Sequence, residues 1–266
     1  MLRHWITGEL GLGLAQAGTA ALAALVVVLL ARKRQIHLES EAAIALVRGL
    51  TQIVAMGFLL VFLLRGPHWT SVFLLAAMIV AAGMTSAKRA KGMPGARRVS
   101  IISIACGAGS VIAVMTLLGV IATPITSLIP VGSMLIANAM NTNGLALNRF
   151  RSEVLAHIGE IETALALGAD PAQSVSRYSQ STFESSLIPA IDSLRSLGIV
   201  WIPGLMAGML LSGASPLYSA IYQFVVLSMI FAASGLTCLI STVLMRAQVF
   251  SPNQQLVLRP AMERAR

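Results

Sequence analysis

Charge is scarce in this chain. Asp, Glu, Lys and Arg supply 11% of its 266 residues, against roughly 25% in soluble domains, while hydrophobic residues supply 56%. Uncharged apolar runs of about 20 residues recur along almost the whole length, and about 20 residues of helix cross a 30 Å hydrocarbon core. No soluble core buries that many such runs. Cysteine is nearly missing too: Cys106 and Cys238 are the only two. Both lie in apolar runs without CxxC spacing and read as small buried hydrophobes, not as a redox or metal pair. None of the four histidines (His4, His37, His68, His157) falls in an apolar run, and no HExxH or paired-histidine pattern occurs, which removes the usual zinc chemistries. No glycine-rich loop followed by Lys and Ser or Thr is present to cradle phosphates. Gly11-Leu12-Gly13 is a fragment without the third glycine, inside an apolar run. With no clustered nucleophile, base or ligand set, the expectation is an all-α, polytopic integral membrane protein that is not an enzyme and carries no cofactor.

The apolar runs divide into about seven spans, at 10–31, 42–64, 69–87, 99–121, 124–147, 187–211 and 216–245. The split between the fourth and fifth rests on Ala122-Thr123-Pro124, since a proline disfavours helix at the residue before it. The first run is preceded by Glu9 and a single basic residue, Arg3, and is long enough to span, so it reads as an uncleaved helix. The net charge of +9 would suggest nucleic acid in a soluble protein. Here the basic residues cluster in short loops between apolar runs, where Lys and Arg mark the cytoplasmic side. With the N-terminus outside, fifteen of the 19 basic residues fall inside and only Arg3 and Arg65 outside. The expected setting is the cell (inner or plasma) membrane, with an external N-terminus, a cytoplasmic C-terminus and the lipid bilayer as surroundings.

One connecting segment, 148–186, is long and polar, yet Leu155, Ile158, Ile161, Leu165 and Leu167 recur every three to four residues, the spacing of a helix face. Gly168 stops that helix, and Asp170-Pro171 opens another, with Asp as N-cap and Pro at the first helical position. The spacing predicts a helix of about five turns and a shorter one in the cytoplasm, with re-entry at Ser186-Leu187-Ile188-Pro189. Capping signals favour a docking element over a solvated linker.

Three ionisable residues lie within the spans: Arg48, Asp192 and Arg195. A charge in hydrocarbon is costly and marks function by default. One reading lets the arginines snorkel while Asp192 pairs with Arg195 at i,i+3; the other pairs Asp192 with Arg48 across helices at a cytoplasmic gate. The fifth span carries Asn138, Asn141, Asn143 and Asn148 toward its cytoplasmic end, more amides than packing requires, and these are candidates to line a pathway. Gly204 and Gly208 form a GxxxG pattern that suits helix packing or gating. Met134, Met140, Met206 and Met209 read as apolar filling or as soft thioether donors.

Several of these residues fall in a longer pattern. Ile129-Pro130-Val131-Gly132-Ser133-Met134, Asn138-Ala139-Met140-Asn141 and Leu145-Ala146-Leu147-Asn148-Arg149 are followed by Leu167-Gly168-Ala169 and Leu187-Ile188-Pro189-Ala190-Ile191-Asp192-Ser193. Pro203-Gly204-Leu205-Met206, Gly213, Pro216 and Tyr222-Gln223 continue it, and Arg48 with Gln52 fits an Arg-x-x-x-Gln in the second span. From about residue 40 onward the chain resembles the FetB/YbbM family of ABC transporter permeases, linked to iron export in bacteria and to aluminium tolerance in plants. Two departures stand out: Asp192 where the family has Asn, and Ala207-Gly208-Met209 where Thr-Gly-Gln is usual.

The resemblance implies a single transmembrane permease domain over 1–266, the membrane subunit of an ATP-driven exporter of metal ions such as iron, or of a metal complex. It implies a homodimer with a separate ABC-type ATPase that hydrolyses the ATP. The candidate pathway or gate residues are then Arg48, Asn138, Asn141, Asn148, Asp192 and Arg195, from their charge or amides in the spans, with Gln52 added by the resemblance; ATPase coupling is expected at Glu162, Gly168, Asp170 and Pro171, from the capping signals, and 162–168 is similar to the EAA-type loop of ABC importers. The alternative is a stand-alone secondary transporter driven by an ion gradient.

Overall fold

The computed structural model describes residues 9–33, 39–63, 69–90, 92–251 and 253–258. Those residues are overwhelmingly helical, and their only β pairing is two isolated bridges. The chain divides into two units, 1–66 and 67–266. The first holds α1 (Glu9–Lys33) and α2 (Glu39–Leu63), which touch one another. Leu22, Val27, Ile44, Val47, Ile53 and Phe58 all stand exposed on them. Apolar side chains left uncovered around a helix fit a hydrocarbon solvent better than water.

In the second unit, α3 (Thr70–Ala87) is followed by α4 (Ala96–Ile104), a π-turn (Ala105–Gly109) and α5 (Ser110–Leu117), which together make one rod. The chain then breaks between Leu117 and Ile125, with Gly119 at φ +73° and Pro124 at the N-cap of α6. Helix α6 (Ile125–Ala156, 32 residues) is about 48 Å long at 1.5 Å per residue and continues through Asn148 without a break. Short helices α7 (Ile158–Ala166) and α8 (Pro171–Ser174) precede α9 (Ser176–Ser196), α10 (Gly204–Leu211) and α11 (Pro216–Gln248).

Helices α6 and α11 are the axis of this unit; α3, α4 and α9 each pack on both or on one of them. One buried cluster gathers Leu135, Ile136, Ala139, Val226 and Ala233. The other gathers Leu147, Phe150, Val154, Ile161, Val175 and Met245, so it reaches from the bundle into α7 and the start of α9.

Among the described residues, four helices are long and apolar enough to cross a bilayer: Ala42–Leu60, Thr70–Ala87, Ala96–Leu117 and Pro216–Gln248. The apolar stretch Ala15–Leu30 is shorter, and α6, long enough, is diluted by its asparagines. The expected span 187–211 is not one helix. It is the end of α9, a non-helical stretch at 197–203 with Gly198 at φ +75°, and α10. Composition conceals this, because Ile199, Val200, Trp201 and Ile202 keep the stretch apolar. The helix of about five turns expected in the 148–186 segment is not continuous, and the expected re-entry at Ser186 is not a helix start. The first break after α6 falls at His157 (φ −120°, ψ 28°), and Ser186 lies inside α9, whose Pro189 is accommodated within the helix.

The π-turn sits where α4 meets α11. A Cβ on Gly107 would lie 2.6 Å from the Thr237 backbone nitrogen and press on its Oγ1, and one on Gly83 would lie 2.8 Å from Ile101 Cα. Extra atoms forced into such a contact cost about 1–3 kcal/mol. Gly107→Ala is therefore expected to lower the thermal midpoint in detergent by several degrees, whereas Gly235→Ala, with nothing within 4 Å of its Cβ, leaves it unchanged or raises it.

Candidate functional site

Helix α6 presents two kinds of asparagine. Asn143 is fully buried, and its Nδ2 donates to Ser86 Oγ at 2.9 Å and Ser100 Oγ at 3.0 Å, joining α6 to α3 and α4. Asn138 and Asn141, one turn apart on another face, line a cavity of about 310 Å3. Asn138 Nδ2 donates to Met134 O at 2.9 Å, which leaves its Oδ1 as a free acceptor. Thr142 completes the α6 wall. Asn148 is exposed and does not reach the cavity.

The opposite walls come from α9, the 197–203 break and α11. Pro189, Ala190 and Ser193 face in from α9, and Ser193 Oγ donates to Pro189 O at 2.8 Å. Trp201 and Pro203 come from the break; the Trp201 indole N–H donates to Ser196 Oγ at 3.2 Å, and Gly198 N–H to Trp201 O at 3.2 Å. Gln223 closes the wall from α11, with Leu227 and Ile230 beside it. Gln223, Ser193 and Trp201 were not singled out for the pathway by sequence. The signal for Gln223 was available: it is the one carboxamide in the apolar run 216–245.

Asp192 and Arg195 lie off this wall. Asp192 meets Arg195 at 3.8 Å, with the side chains 61% and 78% exposed; a pair so open is worth about 0–1 kcal/mol. Arg48 and Gln52 are exposed on α2, in the N-terminal unit. The GxxxG glycines Gly204 and Gly208 have open space where a Cβ would stand, so their face of α10 packs against nothing among the described residues. No three His, Cys, Asp or Glu side chains gather into a possible metal site among the described residues.

The coupling candidates form a separate, ordered tip. Helix α7 ends on Gly168 at φ +87°, with Gly168 N–H bonded to Leu165 O and Ala169 N–H to Ala164 O, both at 3.0 Å, the double bond of a Schellman end. Asp170 then caps α8, its Oδ2 accepting from Ala172 N–H at 3.0 Å, with Pro171 next in line. Glu162 is exposed on α7, and Leu167 stands 84% exposed at the turn. Behind the turn, Tyr178 on α9 donates to Glu160 Oε2 at 2.8 Å and stacks on His157 with ring centroids 4.7 Å apart. Burial pushes the Tyr178 phenol upward from its ordinary pKa, and the Glu160 carboxylate adds to the shift, so the hydroxyl stays a donor at neutral pH. Arg246 Nε of α11 donates to Ser179 Oγ at 2.9 Å, tying α9 to the end of α11.

Asn143 gives a direct test of which amides hold the bundle. Asn143→Ala strands two serines and is expected to cost about 1–2 kcal/mol, read as a lower thermal midpoint in detergent. Asn148→Ala, at an exposed position, leaves that midpoint in place.

Comparison with known proteins places this architecture. The description Uncharacterised protein family (UPF0014) matches residues 14–250. The rice protein UPF0014 membrane protein STAR2 is 33% identical over 86% of this chain and 80% of its own length. The Arabidopsis thaliana Protein ALUMINUM SENSITIVE 3 is 31% identical over 92% and 90%. The Escherichia coli Probable iron export permease protein FetB is 28% identical over 97% and 98%. No solved structure matches. The match to UPF0014 covers most of the chain, and the helices carry its membrane character: the chain belongs to the UPF0014 family, as a multi-pass membrane protein.

Proposed function

We propose that the chain is the membrane permease subunit of an ATP-driven exporter, paired with a separate ABC-type ATPase, and that its cargo is a metal ion or a metal complex. The observation that carries the motor part is the α7–α8 tip. Two capped helix ends, an exposed leucine and the Tyr178–Glu160 bond behind it make a rigid knob, a shape suited to seat in another protein. The sequence holds no phosphate-binding loop, so ATP is hydrolysed elsewhere. The metal part rests on the relative named for iron export, whose length this chain matches nearly end to end.

The cavity bounded by α6, α9 and α11 is the natural pathway segment, and a second copy of the chain would complete the route, twofold dimers being the commonest assembly. A carrier driven by a proton gradient is less well supported, because none of the residues lining the cavity is charged or titrates near neutral pH, and a relay needs such a group. On this reading the N-terminus is outside and the 148–186 segment and C-terminus are cytoplasmic.

Two experiments test it. Reconstituted with its ATPase, Glu162→Lys or Leu167→Asp is expected to lower cargo-stimulated ATP hydrolysis at least several-fold while membrane insertion stays normal; wild-type stimulation in both would move the motor contact elsewhere. For orientation, Trp69 and Lys88 flank α3. In intact cells an impermeant thiol reagent should label Trp69→Cys and spare Lys88→Cys, and the reverse pattern would invert the topology.

A further inference from the structure

The wall of the cavity is chemically one-sided. Its polar groups are carboxamides and hydroxyls, with the Trp201 indole beside them, and no Lys, Arg, Asp, Glu, His or Cys is among them. Gln223 is the informative member. It is 4% exposed, it lines the cavity, and its Oε1 has no hydrogen-bond partner among the described residues. A buried amide oxygen left unpaired costs free energy, and an isosteric leucine would remove that cost in a helix that is otherwise apolar at Val226, Leu227 and Ile230. The position makes sense if something that donates hydrogen bonds comes to it.

The backbone agrees. Residues 197–203 leave the helix although Ile199, Val200 and Ile202 are apolar and exposed. In a lipid setting non-helical backbone is tolerated where it lines a cavity, and interrupted helices are a recurrent way to build a solute site. Size permits a hydrated ion: about 310 Å3 admits an ion with six waters around it. Neutral amides cannot offset the full charge of a stripped cation, so keeping its waters is the less costly way in. Waters bound to a cation are polarised, and they donate strong, charge-assisted bonds to amide oxygens.

We propose that this cavity is the cargo site and that it takes a metal cation with its water shell intact, recognised through hydrogen bonds. Gln223 Oε1 and Asn138 Oδ1 accept from the metal-bound waters, and no side chain enters the metal's own coordination sphere. The proposal rests on the metal-export reading and adds the site, the mode of recognition and Gln223 as the specificity-determining residue.

The test uses the full chain in lipid nanodiscs with Trp5 and Trp69 replaced by phenylalanine, so that Trp201 is the sole tryptophan and is excited selectively over the tyrosines. The probes are Mn2+, whose waters exchange freely, and hexaamminecobalt(III), whose six ligands donate hydrogen bonds and cannot be shed. Both are expected to quench Trp201 saturably and to compete with one another, and Gln223→Leu should weaken both by tenfold or more. Saturable quenching by Mn2+ alone would mean direct coordination and overturn the intact-shell proposal, leaving metal export standing. Unchanged affinities in Gln223→Leu would overturn the role of Gln223. If neither probe binds while Mn2+ still stimulates ATP hydrolysis by the chain with its ATPase, the cargo site lies elsewhere. If Mn2+, Fe2+ and Co2+ all leave ATP hydrolysis unstimulated as well, the metal-export reading itself fails.

Discussion

The second unit depends on how closely other helices can approach α11. Lipid tails are as apolar as leucine, so helices in a bilayer gain little from hiding apolar surface and rely on tight van der Waals contact and shared polar groups. The sequence supplies small residues where that contact is made. Gly107 lies against the Thr237 backbone, and Ala139, Ala146, Ala233 and Ala108 are fully buried. The π-turn at Ala105–Gly109 follows from the same demand: one extra residue in the turn brings Gly107 onto α11, and such bulges favour functional regions. On the outer face of α11, Leu217, Ile221, Phe224 and Leu239 are exposed.

Long apolar runs made α3, the α4–α5 rod and α11 legible in sequence, because a bilayer demands length and apolarity together. The end of α7 was legible for a different reason. Gly168 and Asp170-Pro171 carry their backbone geometry with them, and the positive φ and the cap bond are where those residues require. The break at 197–203 was not legible, since every residue from Ile199 to Ile202 suits an apolar helix and only Gly198 hints otherwise. Nor was the continuity of α6 past Asn148. A polar stretch following an apolar one looks like a helix leaving the membrane and stopping, whereas Phe150 and Val154 are fully buried and extend the core beyond it.

The site was half legible for a comparable reason. Asn138 and Asn141 attract notice because asparagine is costly in hydrocarbon, but Asn143, equally polar, is structural, spent on Ser86 and Ser100. Sequence ranks these residues alike; only the helix face separates them. Asp192 drew attention through its charge, yet α9 leaves it exposed beside Arg195 and off the cavity wall. Charge marks cost, and here the cost is met by exposure.

Helix α9 finally joins the two regions that the functional reading separates. Its first turns hold Tyr178 and Ser179, bonded to Glu160 of α7 and to Arg246 of α11, and its last turns hold Pro189, Ala190 and Ser193 on the cavity wall. From Ser176 to Ser196 is 21 residues, about 30 Å at 1.5 Å per residue. An element that touches both ends and can take two arrangements is what coupling needs, and spatial proximity alone does not supply it. Pro189 opens the second contact, and the turn before it, which lacks the proline's donor, is a point where the helix can bend. On the exporter reading, a push on the capped tip therefore reaches the cavity through one helix and its single weak point, and the 197–203 break at its far end leaves Trp201 and Pro203 free to follow.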